Sequence, residues 1–267
     1  MSMQILTHEA LHRRAPAIFA EAPHEAVTSH YGFVPTIDVV EGLEQEGWFA
    51  VHARQTRSRD PERQGVTRHL IRFRQDCVRQ LRVGDSVAEL VLTNSHDRTS
   101  SFQLNLGLFR LVCSNGMVAP AGEIGSLRVR HGRHIVETLL EHSVKLVSQI
   151  PSVAEQVESF QSTPMGEWPA QRFAEQALAL RYGPDWSQAS PVLPQALIEP
   201  RRREDVDGTL WNTFSRIQEN LLKGGLRGRS RTGRRTRTRA IRSVGEDVRL
   251  NRGLWKLTEH WAEQLAA

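Results

Sequence analysis

Residues 223–242 are the part of this 267-residue chain whose side-chain types and spacing most clearly specify a chemistry. They hold one lysine, eight arginines and no acid: Lys223, Arg227, Arg229, Arg231, Arg234, Arg235, Arg237, Arg239 and Arg242. A guanidinium is planar and offers two parallel N–H donors to a phosphate, so a run of them suits a polyanion. Arg229 and Arg231 alternate, Thr232-Gly233 can turn, and Arg235, Arg237 and Arg239 alternate again. This spacing predicts a hairpin with arginines along one face and Thr236 and Thr238 on the other, its first arm diluted by Gly228. The competing role is a solvated basic loop, because like charges at this density repel and Leu226 and Ile241 are its main apolar anchors. Amphipathic helices predicted on both sides would hold the loop ends, which favours a function.

A second basic set lies on predicted strands. Arg68, Arg72 and Arg74 share one face, and Arg128 and Arg130 share another. Such a face can track a phosphate backbone, although its commoner role is the solvent side of a sheet. Trp211, Phe214, Trp255 and Trp261 sit at helical spacing and are expected in a core, so no stacking platform for bases is predicted. Contacts to nucleic acid would therefore go to phosphates, which position a strand without reading its sequence.

Signals for catalysis are sparse. Ser95, His96 and Asp97 are adjacent, but neighbours on a strand point to opposite faces and do not form a triad by themselves. A polar turn joining two strands is the simpler reading. A nuclease-like activity around His96 and Asp97 would need further carboxylates or histidines brought beside them. His131 and His134 have metal-like spacing without a nearby carboxylate or thiolate, and no Walker-type glycine loop occurs. No catalytic residue, metal or cofactor is assigned, and a binding protein is expected over an enzyme.

The whole chain carries 35 basic and 30 acidic side chains, for a net charge of +5. With lysines only at 145, 223 and 256, nearly all the basic residues are arginine, which a GC-rich genome accounts for. It does not account for their distribution. Residues 201–267 hold 16 basic and 8 acidic side chains, whereas residues 1–200 hold 19 and 22, an asymmetry that marks a polyanion-binding end. No run of 18 apolar residues is present, so no membrane span is expected. Met1–Ala20 lacks the apolar centre of a secretory signal. Two cysteines, Cys77 and Cys113, cannot build a disulfide framework or a four-thiolate metal site. A cytoplasmic protein is expected.

The elements that must position these side chains read as follows. Residues 7–20 form a short helix interrupted by Pro16, and Thr36 is the N-cap of a second helix that Gly47 ends. Strands are expected over 48–57, 66–75, 87–93, 102–113 and 127–130, with turns at Gly65, at Val83-Gly84-Asp85 and at Asn115-Gly116. Helical periodicity covers 133–163, divided by Pro151, then 168–182, 209–222 and 246–265. Consecutive strands joined by short turns predict an α+β fold: an antiparallel sheet of four to five strands packed against a long helix, with a helical C-terminal part. The expected organisation is a core domain over 1–183, a proline-bearing linker over 184–208, and a helical region over 209–267 that carries the arginine-rich loop, either separate or packed on the core.

Several segments together resemble a known family. They are Tyr31-Gly-Phe-Val-Pro-Thr36 with Val39-Val-Glu-Gly-Leu43, Asn94-Ser-His-Asp97, and Gly107-Leu-Phe-Arg-Leu-Val-Cys-Ser-Asn-Gly116. Trp211-Asn-Thr-Phe214, Gln218-Glu-Asn-Leu-Leu-Lys-Gly-Gly225, Leu250-Asn-Arg252 and Leu254-Trp255 complete the set. The pattern resembles the phage- and plasmid-borne proteins called domain of unknown function 932, and it extends over nearly the whole chain. The resemblance implies carriage on mobile elements and, by association, DNA transactions; it brings no catalytic residues. The order of strands followed by a long helix is also similar to the core of phage-type single-strand annealing proteins, a likeness of fold order alone. The expected function is nucleic-acid binding, DNA rather than RNA, through phosphate contacts, with single-strand binding or annealing as a candidate role and a homo-oligomer as a candidate state. The alternatives are a DNA-processing enzyme around His96 and Asp97, or an adaptor whose arginines dock an acidic protein.

Overall fold

A computed structural model describes residues 4–25, 32–75, 82–83, 86–97, 99–110, 116–118, 126–129 and 134–266. The chain divides into two compact units, Met1–Pro151 and Ser152–Ala267.

The first unit opens with helix α1 (His8–Arg14), capped by the Thr7 hydroxyl, which accepts from the Ala10 N–H at 3.2 Å. Pro16 follows and the chain continues as a 3-10 turn, Pro16–Phe19. Helix α2 spans Thr36–Gln45. Here the structure corrects the reading of Thr36 as a cap. Pro35 holds the cap position, Thr36 is the first helical residue, and its hydroxyl is spent on buried partners described below.

The sheet follows as β1 (Trp48–Gln55), β2 (His69–Gln75), β3 (Arg82–Val83), β4 (Ser86–Asn94), β5 (Phe102–Arg110), β6 (Gly116–Val118) and β7 (Ser126–Val129). Its antiparallel core runs β1-β2-β4-β5, with β3 on β4 and with β6 and β7 on different stretches of β5. Register explains the core. Ala50, Phe73, Leu90 and Leu106 stand directly opposite one another across the four strands, as do Ala53, Ile71, Leu92 and Leu104. A register shift between Ala50 and His52 lets Ala50 and Ala53, three residues apart, face the same side. Helix α3 (Ile135–Val147) packs against β5, β7 and α2. The predicted turns at 84–85 and 115, and the strand ends at 111–113 and 130, lie outside the described residues.

Alternation predicted one apolar and one solvent-facing side of this sheet. The structure differs, because β4 is buried at every position. On the second face Glu89 is 1% exposed, and it binds two arginines of β2. Arg74 donates through Nε to its Oε1 at 2.7 Å, and Arg72 donates through Nη2 at 3.2 Å. Burial lowers the pKa of Arg72, and the Glu89 charge opposes that shift. His52, opposite Arg72 in the register, is pushed down to about 4 by burial and by the charges of Arg72, Arg54 and Arg14.

Pro151 separates α3 from α4 (Ile150–Ser162), standing in the first turn of α4 where its missing N–H costs nothing. The remaining elements are α5 (Glu167–Tyr182), α6 (Trp186–Ala189), α7 (Gln195–Ile198), α8 (Leu210–Lys223), β8 (Arg227–Arg229), β9 (Arg235–Arg237) and α9 (Val244–Ala266). The architecture is α+β, with a helical C-terminal part. No described helix is long and apolar enough to cross a membrane.

In the second unit α8 packs on α5, α7 and α9. Trp211, Phe214, Trp255 and Trp261 are core residues, and the Phe214 and Trp255 rings meet edge to face with centroids 6.2 Å apart. The amphipathic pattern of α8 predicted one buried face. From Leu210 to Leu222 only Arg216 escapes burial, because the polar face is covered too. Residues 184–208, expected as a linker, supply that cover. They form α6, α7 and a 3-10 turn at Arg203–Asp205, and the carbonyls of Leu197 and Glu199 accept from Asn220 Nδ2 at 2.9 and 2.8 Å. The boundary between the compact units therefore falls at Pro151/Ser152.

Two outcomes test this account. Glu89→Gln leaves two enclosed guanidiniums without a counter-charge and should cost about 3–5 kcal/mol in chemical denaturation. His52 has a folded pKa below the ordinary 6.5, so the unfolded chain takes up its proton first. Its contribution is complete above pH 6.5 and is lost as pH falls through 6.5 towards about 4, up to about 3 kcal/mol. His52→Gln should flatten stability over that interval.

Candidate nucleic-acid interface

The basic run folds as a hairpin anchored at the end of α8. β8 and β9 pair antiparallel, with Arg227 opposite Arg237, Gly228 opposite Thr236 and Arg229 opposite Arg235. The Ser230 N–H donates to the Arg234 carbonyl and the Gly233 N–H to the Ser230 carbonyl, both at 2.8 Å. Gly233 has φ +77, so a glycine completes the three-residue turn. Deeper in the hairpin the Thr238 N–H donates to the Leu226 carbonyl at 2.9 Å.

This pattern fixes the geometry of the charges. Hydrogen-bonded and non-hydrogen-bonded pairs alternate along an antiparallel ladder, and bonding at 226/238 and 230/234 makes 227/237 and 229/235 the closer, non-hydrogen-bonded pairs. Four guanidiniums thus share one exposed face as two directly opposed pairs, spaced about 7 Å along the strands. Arg227, Arg229, Arg235 and Arg237 line an open concavity of about 700 Å³. Arg231 and Arg234 are exposed at the turn, and Arg239 and Arg242 are exposed beyond the second strand.

The register puts Thr236 and Thr238 on the face opposite the four arginines, as expected, but in different surroundings. Thr236 is exposed, whereas Thr238 is buried and its hydroxyl accepts from the Leu226 N–H at 3.0 Å. Gly228, read as a weakness, is a requirement. A Cβ there would lie 1.9 Å from the Pro191 carbonyl oxygen. That same carbonyl accepts from the Arg229 N–H at 2.8 Å, so β8 is held on both edges.

The feet of the hairpin are tied by arginines outside the run. Arg181 donates to the carbonyl of Leu221 and, at 2.5 Å, to that of Arg239. Arg201 donates to Asn220 Oδ1 and to the Gly224 carbonyl, both at 2.5 Å. Lys223 belongs to this support, not to the exposed face. Its ammonium lies 2.7 Å from Glu219, which also receives Arg202 at 2.7 Å. Burial pushes the Glu219 carboxyl up, but hydrogen bonds from Arg202 and Lys223 outweigh it and hold the pKa below its ordinary value.

The sheet arginines are placed differently. Arg72 and Arg74 are committed to Glu89, and Arg68 donates to the Thr99 carbonyl. Arg128 lies on β7 opposite Gln103, and Arg130 lies outside the described residues. Sequence reasoning missed Glu89, Glu219, Arg181, Arg201 and Pro191. One signal was available, since a glycine inside an arginine strand marks close backbone approach.

Of the adjacent Ser95, His96 and Asp97, Ser95 and Asp97 share the Thr99 hydroxyl and bond to each other, whereas His96 meets a different set of partners. Ser95 Oγ accepts from the Ser100 N–H at 2.8 Å, and Asp97 accepts from the N–H and hydroxyl of Thr99 at 3.0 and 2.6 Å. Burial raises the Asp97 pKa, yet the hydrogen bonds from Thr99 and Ser95 prevail and leave it lowered. The expected polar turn is corrected at its first half, because Asn94, Ser95 and His96 are wholly buried. Thr36 Oγ1 lies 3.1 Å from His96 Nε2 and 2.9 Å from His69 Nε2, and accepts from Asn94 Nδ2 at 3.0 Å. This arrangement knits the start of α2 to β2 and β4. Among the described residues no group of three His, Cys, Asp or Glu side chains could hold a metal ion. His134 is exposed at the start of α3, whereas His131 and both cysteines lie outside the described residues.

An α+β unit and a helical unit that presents an arginine ribbon are what fold and site define. Residues 23–255 match the family model described as domain of unknown function (DUF932), and the chain belongs to that family. It is 41% identical over 261 residues to UPF0380 protein YfjQ of Escherichia coli (strain K12), covering 97% of this chain and 93% of that protein. UPF0380 protein YafZ of the same organism is likewise 41% identical over 261 residues, with the same coverage. No solved structure matches.

The contact at Gly228 gives a direct test. Gly228→Ala should lift β8 off Pro191 and speed hydrogen exchange at the Arg229 amide, leaving the amides of α8 protected.

Proposed function

We propose that this protein is a cytoplasmic nucleic-acid-binding protein of a mobile genetic element that grips the phosphate backbone of DNA with the hairpin of residues 225–239. The observation that carries this reading is the two directly opposed arginine pairs on an exposed ribbon that contains no acid. Like charges directly opposite each other destabilise a strand pair. A polyanion laid along the ribbon removes that repulsion, so binding and ribbon order favour each other. Guanidinium forks supply paired hydrogen bonds to phosphate oxygens and read no base. Single-strand holding or annealing in recombination would draw on the same cations.

The enzyme reading has less support, since Ser95 and Asp97 are engaged with each other and with Thr99, whereas His96 is enclosed beside Thr36.

Fluorescence anisotropy with labelled single- and double-stranded DNA across a salt series tests the proposal. With about six cations on phosphates, the slope of log affinity against log salt should be near −4 for single strands and −5 for duplex. Replacing Arg234, Arg235, Arg237 and Arg239 by Glu should abolish binding without changing the thermal unfolding profile. Undiminished affinity in that variant overturns the reading. Capture of an acidic protein in place of any oligonucleotide would transfer the arginines to an adaptor role.

A further inference from the structure

The hairpin offers one face to a ligand. Arg227, Arg229, Arg235 and Arg237 project from it, and strand alternation sends the positions between them to the other side. That other side is occupied. A Cβ on Gly228 would meet the Pro191 carbonyl oxygen at 1.9 Å and the Val192 side chain at 2.9 Å, and Thr238 is buried. A polyanion held by these arginines therefore lies on the outer face.

That face has two different spacings. Within a rung, 227/237 or 229/235, the residues form a non-hydrogen-bonded pair, whose Cα atoms stand about 4.5 Å apart. From rung to rung along either strand the repeat is two residues, about 7 Å. The longer spacing matches the separation of successive phosphorus atoms along an extended nucleotide strand. The shorter one is too small a step for two phosphates. It suits the two non-bridging oxygens of a single phosphodiester, each accepting from one guanidinium. Arg229 Nη1 donates to the Gly233 carbonyl at 3.3 Å, which leaves the other N–H groups of that guanidinium for a ligand.

We infer that one DNA strand lies lengthwise on the ribbon and seats two consecutive phosphates there, one between Arg227 and Arg237 and its neighbour between Arg229 and Arg235. This inference rests on the phosphate-binding reading of the hairpin. Each rung's repulsion is offset by an anion placed between its members. The site then responds to whether two charges are adjacent along a strand, and not to their number alone.

The test uses the full chain and thymidylate decamers in which some linkages are methylphosphonates, which carry no charge. Two probes have equal charge: in one the charged linkages come in adjacent couples, in the other no two are adjacent. Each is offered alone and annealed to its complement, and fluorescence anisotropy is read on the form that binds. The coupled probe should bind about tenfold more tightly than the separated one. Replacing a whole rung, Arg227→Gln with Arg237→Gln, should erase that preference. With the fully charged decamer it should also lower the salt slope by about 0.7 for single strands or 0.9 for duplex, one phosphate's share. Replacing one member of each rung, Arg227→Gln with Arg229→Gln, should weaken binding and keep the slope, because each phosphate retains a cation. Equal affinity for the two probes, a preference that survives loss of the rung, or a slope lowered equally by both double variants overturns the two-phosphate seat and leaves the phosphate reading intact. Absence of binding to the fully charged decamer at low salt, alone and annealed, removes both readings together.

Discussion

Two pairs of opposed guanidiniums repel, and contacts from outside the hairpin add to its own hydrogen bonds in fixing its backbone. Those contacts are specific. The Pro191 carbonyl occupies the space that a side chain at 228 would need and accepts from Arg229 on the outer edge of β8. Arg181 and Arg201 clamp the carbonyls of Leu221, Gly224 and Arg239 at the hairpin's feet. The repulsion is thus retained in the folded state, on a surface that solvent reaches. The electrostatics of the ribbon and its fold are therefore one problem.

Arginine does two opposite jobs in this molecule, and burial decides which. Arg72 and Arg74 surround the enclosed carboxylate of Glu89, and Arg202 joins Lys223 around Glu219. In each case a desolvated acid needs cations and hydrogen bonds at short range, and the cations so used are withdrawn from any ligand. On the ribbon no carboxylate competes. The basic residues free to face a polyanion are therefore fewer than composition suggests, and they are concentrated on one structural element.

The two buried polar groups of the first unit have a comparable role. Thr36, His69, Asn94 and His96 form a hydrogen-bonded cluster between a helix start and two strands, and the Glu89 group ties β2 to β4 on the opposite face of the sheet. Polar clusters of this kind constrain which strands and which register can form, because a slipped pairing would leave charges enclosed without partners. Membership in the DUF932 family extends over most of the chain, from residue 23 to 255, and so takes in both of these clusters and the ribbon.

The amino-acid sequence determined whatever depends on local periodicity and on backbone chemistry. It specified the α+β order, the division at Pro151, the core stripe of Leu104, Leu106 and Leu108, the aromatic core of α8 and α9, the hairpin with its Gly233 turn, and the family. Tertiary structure decided what depends on partners distant along the chain. It turned the second sheet face inward around Glu89, enclosed His96, drew Lys223 into an ion pair, made residues 184–208 a cover for the polar face of α8, and converted Gly228 from a gap in the arginine pattern into its point of attachment. The physical reason is the same throughout. Hydrophobic period and turn chemistry are written within a few residues, whereas desolvation and close backbone approach exist only when remote segments meet.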